Sequence, residues 1–191
     1  MANADNAIGF VPIKHKTGGE IRLTEYSIAS SYNTALGKGD PVQLTGTGTN
    51  IAKSEATNVD NIGVFAGVRY TDSLGNPIFS EYWTAGTATK GAVDAVAMVW
   101  DDPNIVYRIQ CDTLAQVDVG LLADWDSGTP SATTRLSGAE LVASAGATTG
   151  KSIRILGLSD ITDNAVGAYA KADVMFAEHV LMTGAAGAGG V

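Results

Sequence analysis

The first candidate for chemistry is Ala145-Gly-Ala-Thr-Thr-Gly-Lys151-Ser152, a permissive version of a phosphate-binding loop with Ala in place of the first Gly. In such a loop a nest of backbone N–H groups holds nucleotide phosphates, the Lys reaches the terminal phosphates and the Ser hydroxyl meets magnesium. That chemistry needs a strand before the loop and a helix after it, because the helix N-terminus faces the phosphates. The residues that follow, SIRILGL, are β-branched at alternate positions and predict a strand. Nucleotide hydrolysis is therefore not expected.

The remaining candidates are weaker. His15 and His179 lie at opposite ends of the sequence without metal-type spacing, and read as an arm histidine and a solvent-facing strand histidine. Ser144 has Val142 two residues before it rather than Gly, so the strained nucleophile elbow of acyl transfer is missing. Cys111 follows an apolar strand with no base beside it and reads as a core thiol. Asp124-Trp-Asp126-Ser-Gly128 resembles the start of a calcium loop, but Arg135 occupies the closing twelfth position where Glu belongs, so a simple side-chain-capped turn is the expected reading. Asp101-Asp102 stands beside Pro103, the setting of ordinary turn formers. Trp83, Trp100 and Trp125 could stack on sugars, yet two of them end predicted strands, where large rings cap a core or an interface. No catalytic residue, cofactor or metal is expected.

Short strands must position these residues. From Lys38 to Asp112, apolar or β-branched runs alternate with Gly, Pro, Asn and Asp clusters. VRYT-DSLGNP-IFSEYW predicts a hairpin, and VDAVAMVW-DDPN-IVYRIQCD predicts a second, with Pro103 suited to a tight turn. In TLAQVDVGLLADW, Leu114, Val117 and Leu121 fit one face of a short helix, although Val119 and Gly120 suit an irregular connection as well. Residues 126–150 read as loop, with ELVA a short strand at best. SIRILGLS returns to a strand, and KADVMFAEHVLM alternates, with Val174, Phe176 and Val180 opposed to Asp173 and His179. Residues 1–35 hold two extended pieces separated by Gly18-Gly19, and Pro12 confines the first to an edge or an arm. This segment reads as an N-terminal arm or a flexible terminus, 36–181 as the β-rich domain, and 182–191 as a flexible Gly/Ala tail.

Composition narrows the function classes. Twenty-three glycines in 191 residues far exceed the usual share of about 7%. Charged residues are 17% and hydrophobic ones 45%, which disfavours both disorder and a helical bundle. Twelve Lys and Arg against 20 Asp and Glu give a net charge of −8 with no basic block, so direct nucleic-acid binding is not expected. MANADNAIGF has no positive leader region and nowhere do eighteen apolar residues follow one another, so neither a secretion signal nor a spanning helix is expected. With Cys111 alone, no disulfide can form within the chain.

Four stretches, KGDPVQLTGTG, NIGVFAGVRYTDSLGNPIFSEYW, DAVAMVWDDPNIVYRIQCD and DNAVGAYAKADV, together resemble the capsid decoration, or cement, proteins of tailed bacteriophages. The resemblance runs from Phe10 to Leu181 and rests on turns and strands rather than catalytic residues. It implies a mainly β fold, a small β-barrel or β-tulip-like head with an extended N-terminal arm and at most one or two short helices. It further implies a non-enzymatic virion protein, made in the host cytoplasm, that binds the major capsid protein on the outer shell as homotrimers at three-fold positions. An arm adding to a capsid strand edge would supply main-chain hydrogen bonds, and Phe10, Val11, Pro12, Ile13, Ile21, Leu23 and Tyr26 are its expected contacts. Three such arms would tighten attachment through effective concentration. A receptor- or glycan-binding head or tail-fibre domain is the alternative.

Overall fold

A computed structural model describes residues 3–56 and 60–182. The protein is mainly β, 47% strand and 3% helix. The N-terminal half contributes β1 (Val11–His15), β2 (Thr24–Ile28), β3 (Leu36–Gly37), β4 (Pro41–Leu44), β5 (Ile51–Lys53), β6 (Asn61–Thr71), β7 (Pro77–Ser80), β8 (Tyr82–Trp83) and β9 (Ala95–Trp100). The C-terminal half contributes β10 (Ile105–Gln110), β11 (Thr113–Leu114), β12 (Leu122–Asp126), β13 (Glu140–Ala147), β14 (Ile153–Leu158), β15 (Gly167–Ala168) and β16 (Lys171–Phe176). The helical content is two single turns of 3-10 helix, Lys90–Ala92 and Gln116–Asp118.

Two six-stranded antiparallel sheets result. The first runs β1-β10-β16-β14-β12-β13, and the second runs β2-β9-β6-β4-β5 with β7 also paired to β6. Alternation builds them: β9 and β16 bury every second residue, as a sheet with one wet face requires. The first core holds Phe10, Tyr107, Trp125, Leu141, Val174 and Phe176 among others, and the second holds Ile28, Phe65, Trp83 and Val99. Along β6 the residues Asn61–Val68 are buried on both faces, Val64 joining the first core while Ile62, Phe65 and Val68 fill the second. Strand β6 is thus a wall common to both cores.

The end strands of the second sheet meet at one point, and the first sheet folds its end strand β13 back toward β10. In the second, Ser27 bridges Asn50 and the Ser27 N–H donates to Thr49 O at 3.0 Å. In the first, Cys111, one residue past β10, bridges Leu141 of β13. Neither contact extends into a ladder: the small mainly β fold is as expected, while closure into a barrel is not seen among the described residues.

Four expectations are corrected. VDAVAMVW and IVYRIQCD are not a hairpin: the DDPN turn forms, with Ile105 N–H donating to Asp102 O at 3.1 Å, but it carries the chain from the second sheet to the first. The 113–125 helix reduces to Gln116–Asp118, because Asp118 Oδ2 turns back to accept Ala115 N–H at 2.7 Å and Gly120 adopts φ +90°. ELVA is the start of the eight-residue β13, held along β12 by register Asp126↔Glu140 to Leu122↔Ala147. His179 is buried rather than solvent-facing, because the chain leaves the strand after Phe176 and tucks inward.

The N-terminal arm is also corrected. Asn3 caps the 165–168 loop through hydrogen bonds to Ala165 and Ala168 carbonyls at 2.8 Å, and Asn6 N–H donates to Gln110 Oε1 at 2.7 Å. Strand β1 pairs with β10, and β2 pairs with β9, so this segment belongs to both sheets. Strand β1 stands at a sheet edge, where Pro12 loses no ladder bond. Gly9, at φ +71°, lets the chain enter: a Cβ there would lie 2.4 Å from Ser137 Cβ and 2.5 Å from Gly39 O. The Gly/Ala tail expected from residue 182 lies outside the described residues apart from Met182.

Candidate functional site

Of the seven expected contact residues, the structure leaves one on an open apolar surface. Phe10 is a core residue, stacked on Phe176 at 5.5 Å and edge-on to Tyr107 and Trp125 at 6.0 Å. Val11, Pro12 and Ile13 are half-buried on β1, with Pro12 opposite Tyr107. Ile21 packs on the first core, and Tyr26 packs on the second while donating its hydroxyl to Asp101 Oδ2 at 2.9 Å. Burial and the neighbouring Asp101 carboxylate hold the Tyr26 phenol far above its ordinary range. Leu23 alone remains, 49% exposed.

Leu23 borders an apolar surface on the outer face of the second sheet. Strand β9 turns Val96 and Met98 outward, sets Trp100 half-buried against the first core, and buries Ala95, Ala97 and Val99. Strand β6 passes under this face at Gly67, opposite Met98, and Arg69, opposite Val96. Strand β7 sets Phe79 opposite Arg69, 74% exposed. Phe79 stands as a ridge between two grooves. One, of about 500 Å³, is walled by Ile78, Val93 and Val96; the other, of about 450 Å³, is walled by Leu23, Met98 and Trp100 with Ala66 and Gly67 as its floor. Gly67 lacks the side chain that would fill the second groove: a Cβ there would touch Met98 Cε and Ser80 O at 3.1 Å.

Two ion pairs frame the surface. Arg69 reaches Glu25 at 2.9 and 3.0 Å across β9, and Lys38 reaches Glu81 at 2.6 Å. Neither the composition nor the tryptophan count pointed to Phe79. The signal was in the hairpin: register Thr71↔Pro77 forces Phe79 opposite Arg69, and a charged cross-strand neighbour marks the wet face.

Elsewhere the residues with chemical potential have structural partners. Lys151 ends its loop on Asp124 at 2.6 Å and the chain continues into β14, so no helix dipole meets that loop. Asp126 accepts Gly128 N–H at 3.0 Å in a side-chain-capped turn. Cys111 is buried, and burial with Asp112 and Glu140 nearby pushes its thiol up to about 12. His15 has the most enzyme-like surroundings: Nε2 lies 3.0 Å from Asp102 Oδ2 and Nδ1 lies 2.9 Å from Thr17 Oγ1. The same Nδ1 also accepts the backbone N–H groups of Thr17 at 3.3 Å and Gly19 at 3.1 Å. One lone pair serving three donors closes a turn, and leaves Nε2 to donate to the carboxylate. Of the tryptophans, Trp83 and Trp125 are buried and only Trp100 borders a groove. Among the described residues no group of three or more His, Cys, Asp or Glu is placed to hold a metal ion.

Comparison with protein-family models, with curated proteins and with solved structures returned no match. The residues themselves therefore define the site: an exposed apolar sheet face with a charged frame, suited to holding another macromolecule.

Proposed function

We propose that this protein is a structural component of a tailed-phage virion that binds the outer surface of the capsid, as homotrimers at three-fold positions, and cements neighbouring capsomers. Two things support the reading: the strand-and-turn resemblance between Phe10 and Leu181, and the exposed Phe79 ridge with a groove on either side. The second carries it, because a hydrophobic ring three-quarters exposed on a sheet face has no use in the chain's own core. Attachment is by the folded face rather than by a free arm, since β1 and β2 are already paired. Three faces in one trimer would multiply modest contacts into firm clamping. A ligand that binds only the assembled shell stabilises it by mass action.

The test is addition of the purified protein to expanded heads that lack it. The expected result is saturable co-sedimentation and a raised disruption temperature, with light scattering giving a trimer mass. Binding to host cells or to a glycan array with no binding to heads would replace this reading by receptor recognition.

A further inference from the structure

We infer that the partner segment seated on the Phe79 face is an extended stretch of protein carrying apolar side chains between two carboxylates. This rests on the Phe79 face being the docking surface and specifies the chemistry of what docks there.

The argument is charge. The chain has 12 Lys and Arg against 20 Asp and Glu, yet the two grooves are bordered by Lys38, Arg69, Lys90 and Arg135 against only Glu81 and Asp94. Lys38 and Arg69 are matched by Glu81 and Glu25. Lys90 and Arg135 make no ion pair among the described residues, and they stand at opposite grooves. A locally positive, apolar surface draws an acidic partner.

Arg135 adds a second observation. Its backbone lies at φ +64°, a conformation that Gly or Asn adopts more readily than a long side chain. The turn is fixed by Arg135 N–H to Ser131 O at 2.7 Å and Lys38 N–H to Arg135 O at 3.0 Å. Arg135 is exposed, sits in left-handed backbone and makes no ion pair among the described residues, so its guanidinium is free to meet a partner's carboxylate.

Spacing selects an extended chain. Ala66 borders one groove and Thr71 the other, five residues apart on β6, about 17 Å of strand. Residues two apart on one face of an extended segment lie about 7 Å from each other, which lets neighbouring side chains straddle the Phe79 ring while the carboxylates reach Lys90 and Arg135.

The experiment uses the full chain and two synthetic seven-residue peptides with the same Val-Thr-Val-Thr-Val centre, one bounded by glutamates and one by lysines. Fluorescence of Trp100, beside one groove, and calorimetry report binding. The glutamate peptide is expected to bind at least tenfold more tightly than the lysine peptide, to weaken as salt rises, and to lose at least tenfold in the double variant K90E/R135E. Arg135→Asn is expected to weaken binding while leaving the melting temperature unchanged or higher, which separates recognition from folding. Equal affinity for the two peptides, or binding of neither up to millimolar concentration, overturns the inference. Peptide discrimination without head binding would instead count against the cementing role alone, and head binding indifferent to R135N and to salt would count against the acidic segment alone.

Discussion

His15 Nε2 lies 3.0 Å from Asp102 Oδ2, and this contact joins β1 to the crossover between the two sheets. The preceding residue does the same for β2, since Asp101 accepts Thr24 Oγ1 at 2.8 Å and the Tyr26 hydroxyl at 2.9 Å. Two adjacent carboxylates at the end of β9 thus fasten both strands of the N-terminal segment, one to each sheet. Burial alone would raise the Asp102 pKa, but hydrogen bonds from Asn104 and His15 outweigh it and the carboxyl titrates below its usual range.

The first prediction concerns that clamp. Asp102→Ala removes the acceptor for His15 and for the Asn104 N–H at 2.8 Å. The exposed connection Lys16–Leu23 should then open more often, giving faster tryptic cleavage at Lys16 and Arg22 while the melting temperature falls by only a few degrees. Unchanged cleavage rates would show that strand pairing alone holds the segment.

A second prediction follows from the place of Phe10 in the first core. Phe10→Ala should cost about 3–5 kcal/mol in denaturant unfolding, the range for deleting a buried aromatic ring. Removal of residues 1–30 should abolish cooperative folding, because it takes away an edge strand of each sheet together with this ring. A folded, cooperative truncation would restore the free-arm arrangement.

How much of this was legible in the sequence differs between local and distant relationships. The hairpin β6–β7 was legible because turn residues Asp72 to Asn76 and the flanking alternation lie within one window. The same logic mislabelled β9 and β10. A tight turn at Pro103 looks the same whether the next strand pairs with the last or crosses to another sheet, and the choice is made by partners at β1 and β16 far along the chain. His179 was misplaced because alternation was extended past Phe176, where the strand ends. The face proposed for docking was half legible. Leu23 stood among the expected contacts, but Phe79 became visible only once register fixed which side of β7 is wet.

The third prediction tests the polar link between the halves. Asp40 is fully buried, accepts Gly37 N–H at 2.8 Å and Ser137 Oγ at 2.6 Å, and lies 3.6 Å from Lys53 Nζ, which also donates to Gly128 O at 2.6 Å. Burial raises the Asp40 pKa despite these partners. Asp40→Ala should cost about 3–5 kcal/mol, because it leaves the buried Lys53 ammonium without its carboxylate. The double variant D40N/K53M should lose less than D40A, since no unpaired charge stays inside. A double variant worse than the single would mean that the ion pair itself, rather than the orphaned charge, dominates.

The fourth prediction is a pH dependence. His179 is 1% exposed, its Nδ1 accepts Leu181 N–H at 3.2 Å, and the Ile62 backbone lies within reach of the ring. Burial lowers its pKa to about 4 from 6.5, with Asp101 and Asp102 opposing the shift. The unfolded chain therefore binds the proton more readily between those values. The stabilising contribution is complete above pH 6.5 and disappears as pH falls through that window to about 4, by up to about 3 kcal/mol. Chemical denaturation at pH 7.5, 6, 5 and 4 checks this. His179→Phe should flatten the profile in that window, and an equally steep profile in the variant would assign the loss to other groups.

The fifth prediction separates recognition from folding at the Phe79 ridge. Because the ring is 74% exposed and its β7 backbone is held by β6, Phe79→Ser should change unfolding free energy by no more than about 0.5 kcal/mol. The same variant should lose most of its binding to heads, since an exposed aromatic anchor between two grooves is the kind of residue that dominates an interface. Phe10→Ala is the mirror case, with stability lost first and binding lost only through unfolding. If Phe79→Ser binds heads as well as the parent does, attachment uses another surface. The two most exposed apolar side chains outside that face, Leu74 at the tip of the β6–β7 hairpin and Val117 on the 3-10 turn before β12, would then be the next to replace.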